Sequence, residues 1–418
     1  MASRTLPLLY GLSLILIIIP NLASVGEFGR YSLVFQLYMV IALLNKSLFL
    51  NPMVRFASEP DQYNRMIRSG LYMSAVFYIV CGIIVQLISP LAATILRVEA
   101  SDLRLVYVLM AAFLFRDFGF FTQQIRYRIA RLFFIEAVYF LGSIIGFFIL
   151  AMSRDNLIAR EVLTVNIIAA AVSSILALSF GFGTRLFGHV DISAISKITG
   201  YGVYTLPIGL ANSFMNSADT LVLGIIYNPA IVGVYNGAKQ VYRIFSAITQ
   251  AVGILVLPYA SQLSAMNRKE ELKALFEKTT IYIWIGFFMA AFGCWLIAGE
   301  LYKFLGADYA GSLPLLVIML IAAPFEGVFY VAGNILYGIG KATKVALVST
   351  GSLIVLVVLL LPGAYFMGTK GAAWALCLSL VIAGVWIYRG SSRILGSGLA
   401  PSLQRLAVNL KSLLKIGG

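Results

Sequence analysis

Apolar runs of about 20 residues recur along the whole chain, each long enough to cross a hydrocarbon core of roughly 30 Å. Inside a bilayer only helices and closed barrels satisfy every backbone polar group. A barrel would show short segments of alternating hydrophobicity instead. The runs therefore predict an all-α polytopic membrane protein. Composition agrees: 61% of residues are hydrophobic and 11% charged, where a soluble domain carries about 25% charged residues.

The pattern places twelve transmembrane helices near 5–24, 28–50, 70–90, 103–122, 132–152, 162–181, 202–227, 231–258, 280–299, 313–333, 344–366 and 371–390. The first run, from Leu6 to Ala23, has only Arg4 ahead of it and no small-x-small cleavage site, so it reads as a membrane helix rather than a signal peptide. The connections alternate in charge. One set carries Arg55, Arg65 and Arg68, then Arg126, Arg128 and Arg131, Arg185 and Lys197, the 268–278 cluster, and Lys341 with Lys344. The other set is short and nearly balanced. With the termini included, about 21 cations fall on the first side and about 7 on the second, which orients both termini to the cytoplasm.

The net charge of +14 is spread over these short loops. Nucleic-acid binding would need one continuous basic face, so nucleic acid is not an expected partner. Cys81, Cys294 and Cys377 lie far apart inside apolar runs and read as buried free thiols. His189 is the only histidine. No metal, cofactor or His-based catalytic set is expected. No loop exceeds about 25 residues, so there is no room for the long catalytic loop of a membrane enzyme acting on sugars.

The chain repeats itself at half its length. GRYSLVFQLY begins at Gly29 and GVYNGAKQVY at Gly233, with Gly, Tyr, Gln and Tyr coinciding at 29/233, 31/235, 36/240 and 38/242. Downstream, YRIAR from Tyr127 parallels YGIGK from Tyr337. Two matches at nearly constant spacing predict two six-helix bundles, 1–197 and 198–390. An even number of spans makes the repeats parallel, related by a pseudo-two-fold axis along the membrane normal, with a pathway between them. Residues 391–418 form a tail in which Leu403, Leu406, Leu410 and Leu413 share one helical face. It suits a helix lying on anionic cytoplasmic lipid, or else a frayed end without a role.

Three charges stand out against this background: Asp219, Lys239 and Arg243. Counted by helix rise from the turn at Asn228-Pro229, Asp219 lies roughly 13 Å deep, Lys239 roughly 16 Å, and Arg243 about one turn deeper. A cation at mid-membrane costs about 2.5–3.5 kcal/mol. The repeat pairs Lys239 with Phe35 and Arg243 with Met39, so the scaffold does not demand charge there. Either Asp219 neutralises one cation while the other snorkels, or the charges line a water-filled cavity that attracts an anion. Arg116-Asp117 in the fourth helix is either a self-neutralising pair or a substrate contact. Arg30, near the outer mouth, and Arg55, at the inner end of helix two, either guide substrate or anchor their helix. Glu326 follows Pro324 within helix ten, where it either binds a coupling ion or makes a structural hydrogen bond. Glu136 reads as paired with a basic neighbour. Pro207, Gly209, Pro258 and Pro324 supply bending points, and Gly142-x-x-x-Gly146 favours close helix packing.

The stretch from Ala218 to Leu263 resembles the polysaccharide or O-antigen-type flippases of the multidrug/oligosaccharidyl-lipid/polysaccharide exporter superfamily. The residues that carry this are Asp219, Leu223-Gly224, Val232-Gly233-Val234-Tyr235, Ala238 and Leu257-Pro258, with a weaker echo in SVGEFGRYSLV from Ser24 and a family-like LYGIGKATK from Leu336. The resemblance implies alternating-access transfer of undecaprenyl-diphosphate-linked oligosaccharides from the cytoplasmic to the periplasmic leaflet, for surface polysaccharide such as O-antigen or exopolysaccharide. It also implies a cationic central cavity for the diphosphate and partners among membrane lipids, polysaccharide polymerase and chain-length machinery. The first helix starts almost at Met1 and lacks the family's longer polar lead, consistent with a late start codon or a shortened gate. Two rivals remain. A drug antiporter of the same superfamily would favour an acidic cavity, and a polymerase or ligase of lipid-linked glycans would carry a long periplasmic loop.

Overall fold

The computed structural model describes residues 2–57, 59–182 and 190–397. Arg185, His189 and the amphipathic tail from Ser402 to Lys415 lie outside the described residues. The described residues are helical almost throughout: α1 (Ala2–Ser13), α2 (Val25–Asn45), α3 (Asn51–Ala57), α4 (Tyr63–Leu96), α5 (Ala100–Ile125), α6 (Ile129–Ser153), α7 (Ala159–Ser179), α8 (Ile192–Ile226), α9 (Pro229–Ala265), α10 (Lys269–Leu305), α11 (Ser312–Gly338) and α12 (Ala342–Leu395). Among them, nine stretches are long and apolar enough to cross a membrane, and Leu6–Asn21 and Met215–Ile226 are shorter apolar helices.

Burial runs opposite to that of a soluble protein. On α4, Ile79, Ile83, Leu87 and Leu91 recur every fourth residue and are exposed, Leu87 by 73%. The other face buries Ser74, Gly82 and Ser89. Small residues let neighbouring helices approach, and apolar side chains outside need a hydrocarbon solvent. α10 repeats the pattern with exposed Phe288, Phe292 and Trp295. The chain is a multi-pass membrane protein.

Several helices outrun their apolar runs. α4, α8 and α10 begin at Tyr63, Ile192 and Lys269 rather than near 70, 202 and 280. Hydropathy marks the stretch in contact with lipid, whereas backbone hydrogen bonding continues into the polar ends. Two wide π-helical turns, Leu14–Ile18 and Lys46–Leu50, interrupt the first and second runs. α12 is two limbs. Gly368 breaks it with φ +63, and a Cβ on Gly371 would meet the Gly363 carbonyl. Eight residues along a straight helix would separate these glycines by about 12 Å, so the chain doubles back.

The chain divides into two units, Met1–Gly237 with Leu305–Tyr309, and Ala238–Phe304 with Ala310–Gly418. In the first, α1 packs on α6, α5 on α4 and α7, and α8 on α2 and α4. One of its cores joins Phe49, Leu50 and Met53 to Met66, Ile67, Phe118 and Ile198. The second is built on Val256, Ala260 and Leu263 of α9, Phe276 of α10, residues 331–336 of α11 and both limbs of α12.

In the first unit the starts of α2 and α9 cross with almost no space between backbones. A Cβ on Gly29 would land on the Pro229 carbonyl, and one on Gly233 would land on the Val25 carbonyl. Each glycine hydrogen therefore points at a carbonyl, the geometry of a Cα–H···O contact worth about 0.5–1 kcal/mol.

Candidate functional site

Several of the charged residues fall into small clusters, some buried and some exposed. In the first unit, the hairpin of α8 and α9 turns at Asn228, whose side-chain oxygen accepts the Ile231 amide at 3.0 Å. The hairpin brings Tyr235 level with Asp219. Asp219 is fully buried; one carboxylate oxygen accepts the Tyr235 hydroxyl at 2.6 Å and the other accepts the Thr220 amide at 2.8 Å. Thr220 in turn donates to Asn236 at 3.2 Å. These donors lower the cost of burying the charge.

Arg116 of α5 is also buried. It pairs with Asp117 at 2.8 Å, and its guanidinium lies over Tyr139 at 4.5 Å and Phe113 at 5.3 Å. A second cation, Lys46, reaches the other Asp117 oxygen at 3.2 Å. Two cations on one carboxylate leave a net positive cluster inside the unit. Lys46 was not singled out from the sequence, although it is the only charge between Arg30 and Arg55. It opens the π-helical turn of the second run, and such turns frequently occur at functional sites. Its side chain is 35% exposed, against 10% for Arg116.

Arg30 joins an ion network near the ends of α2, α5 and α7. It lies 3.5 Å from Glu27 and 3.4 Å from Glu99, while Arg160 reaches Asp102 at 3.2 Å. Glu27 also accepts the Ala159 amide at 2.8 Å, satisfying a free N–H at the start of α7. Arg55 is exposed and stacks 4.4 Å above Tyr201.

In the second unit, α9 carries Lys239 and Arg243 on consecutive turns. Lys239 is buried, whereas Arg243 is exposed and donates to Gln240 at 3.2 Å. Glu326 of α11 is buried against the same stretch of α9, accepting the Tyr242 hydroxyl at 2.5 Å and the Ser246 hydroxyl at 2.7 Å. The structure thus brings the acid to the helix segment that holds both cations. Tyr242 was visible in the sequence as a repeat match and Tyr235 as a repeat match and part of the Val-Gly-x-Tyr motif; their polar partners come from helix packing that a linear pattern does not encode.

Residues 19–314 match the profile of a family described as polysaccharide biosynthesis protein. The chain belongs to that family. Among polysaccharide biosynthesis relatives, it is 24% identical over 208 residues to the probable low-salt glycan biosynthesis flippase Agl15 of Haloferax volcanii, a match covering 49% of this chain and 41% of that protein. Its fold is similar to that of an inward-facing MATE family multidrug resistance transporter of the MOP superfamily, with TM-score 0.76, 12% identity and 95% of each chain covered. It is also similar to lipid II flippase MurJ in an inward closed conformation, with TM-score 0.75, 13% identity, and 98% of this chain and 91% of that one covered. A third likeness is to a MOP superfamily transporter from Pyrococcus furiosus, at TM-score 0.64 and 13% identity over 95% of this chain and 93% of that one. At such identities the likeness is one of fold. These relatives of the polysaccharide biosynthesis chain are transporters and flippases rather than enzymes.

Proposed function

We propose that the protein flips an undecaprenyl-diphosphate-linked oligosaccharide from the cytoplasmic to the periplasmic leaflet of a bacterial inner membrane, for surface polysaccharide synthesis. Lys239 and Arg243 hold the diphosphate, and Asp219 limits the positive charge of the empty site. Arg30, Arg55 and Arg116 assist along the path, Lys46 joins them beside Asp117, and Glu326 is the ion-coupling group. One observation carries the reading: α9 bears two cations at positions whose repeat counterparts are apolar, in a polysaccharide biosynthesis family chain. The flippase names of Agl15 and MurJ support the same reading.

Transport proceeds by alternating access in two six-helix bundles. Nine long spans, two shorter apolar helices and the break of α12 at Gly368 support a count of twelve. Both termini are then cytoplasmic, and a periplasm-active reporter fused after Gly418 should be silent. The decisive experiment deletes the gene and asks whether a lipid-linked oligosaccharide accumulates on the cytoplasmic side, then complements with variants. The Lys239→Ala, Arg243→Ala double variant should insert normally and fail to export. Full export by it would mean that these charges do not carry substrate.

A drug antiporter is the second reading, favoured by the multidrug-transporter fold and by the buried acid Glu326. It predicts altered sensitivity to cationic drugs on deletion, with no accumulated glycan.

A further inference from the structure

The sequence repeat and the α2–α9 crossing carry the same number. At the offset of 204 that pairs Gly29 with Gly233, Val25 pairs with Pro229 and Gly26 with Ala230. The contacts obey this pairing. Gly29 meets the Pro229 carbonyl, and Gly233 meets the Val25 carbonyl, so each contact is the repeat image of the other. Gly26 faces Ala230, its own counterpart, with a Cβ on Gly26 lying 3.9 Å from the Ala230 nitrogen. Swapped pairs around a self-paired position are the mark of a two-fold contact. A chance crossing of two helices has no reason to respect the offset.

The crossing lies at the first turns of both helices, next to the Asn228-Pro229 turn. In the orientation proposed above, this is the outer end. Its contact surface is glycine hydrogens on carbonyls, with the Val25 side chain lying against Gly233. The glycine contacts themselves close tightly and separate without leaving a strong donor unsatisfied, while deeper along α2 Gln36 donates to Ser217 of α8. We infer that the reciprocal Gly29–Pro229 and Gly233–Val25 contact is the outer seal of the transport cycle, broken each time the protein opens to the outside. Glycine is needed at both positions because any Cβ would hold the seam apart. The inference rests on the flippase orientation for its sidedness, and the labelling arm of its test does not depend on the substrate.

The test uses the full chain in membranes of intact cells. Gly26→Cys reports opening through a membrane-impermeant maleimide, with the parent chain labelled in parallel to account for Cys81, Cys294 and Cys377. Gly29→Ala and Gly233→Ala should each raise labelling at Gly26→Cys severalfold, by holding the seam apart. The pair Gly26→Cys with Ala230→Cys places the two thiols across the crossing, where a Cβ on Gly26 lies 4.0 Å from the Ala230 Cα. Oxidation should crosslink it, abolish labelling and stop export, with reductant restoring both. This second arm needs no alanine variant to fold. Absence of a crosslink in inserted protein, unchanged labelling in both alanine variants, or export at the parental rate by the crosslinked form would each overturn the inference. Labelling that responds as expected in cells that accumulate no glycan on deletion would uphold the seal and reject the flippase reading.

Discussion

Arg116 and Glu326 occupy one place in the repeat. The offset of 210 that pairs Tyr127 with Tyr337 also pairs these two residues. Each meets the tyrosine of the repeated Gln-x-Tyr: Tyr38 packs on Phe113, one turn from Arg116, at 4.8 Å between rings, and Tyr242 donates to Glu326. Yet one position is a cation, flanked by Asp117 and Lys46, and the other an anion held by two neutral hydroxyls. On the proposed repeat, one scaffold position carries opposite charge in the two halves, and the asymmetry then belongs to what the halves handle. An anion-attracting site in one half and a cation- or proton-accepting site in the other would let a transporter couple unlike cargoes.

The comparison breaks most readily at Asp117. Asp117→Ala leaves Lys46 and Arg116 as uncompensated like charges, and removing one partner of a buried pair costs about 3–5 kcal/mol. Glu326→Ala leaves Tyr242 and Ser246 without an acceptor and should cost about 1–3 kcal/mol. Denaturation in detergent, with membrane levels of each variant, measures both. Equal losses would mean that the inverted charges are equivalent structural pairs. Glu326→Gln sharpens the same contrast. It keeps a carbonyl acceptor for one hydroxyl and offers an amide donor to the other, so stability should fall by less than in the alanine variant, and a coupling role would appear as lost ion dependence of transport.

A smaller effect separates Tyr235 from its counterpart Tyr31. Tyr235 donates to the Asp219 carboxylate, while Tyr31 shares a hydrogen bond with Tyr10 at 2.8 Å, which donates to Asn166. Bonds to charged groups contribute about 1.5–3 kcal/mol and neutral ones about 0.5–1.5 kcal/mol. Tyr235→Phe should therefore be the more destabilising of the two, read as a shift in denaturation midpoint. Reversal would show that Asp219 draws its support elsewhere.

These tyrosines mark how far the sequence could be read. Apolar runs, loop charges and repeated glycines reveal the class of fold and both helices of the α2–α9 crossing, because bilayer thickness and backbone approach act on local composition. The partners of Asp219 and Glu326 were not legible. Asp219 and Tyr235 are 16 residues apart and Tyr242 and Glu326 are 84 apart, and such pairings depend on the rotation of one helix against another. Lys46 escaped for a different reason. A single lysine barely dents the hydropathy of a 23-residue run, and the π-helical turn that re-aims it leaves no compositional mark.

The smallest effect belongs to Arg30, and it distinguishes anchoring from guidance. Its repeat counterpart is Val234, so charge is again not a scaffold requirement. Its side chain is one-third exposed, and its partners Glu27 and Glu99 lie 3.5 and 3.4 Å away, the second 59% exposed. Exposed pairs of this kind contribute about 0–1 kcal/mol and weaken with salt. Arg30→Gln should lower stability by no more than that. Glu27→Gln should cost more, because the Glu27 carboxylate also serves the Ala159 amide at the start of α7. A double-mutant cycle of Arg30→Gln with Glu99→Gln isolates the ion pair from this cap. If Arg30 only anchors, export by Arg30→Gln should match the parent at equal protein level. If it guides an anionic substrate, export should fall while the denaturation midpoint stays put, and Arg30→Lys should restore part of it through charge alone.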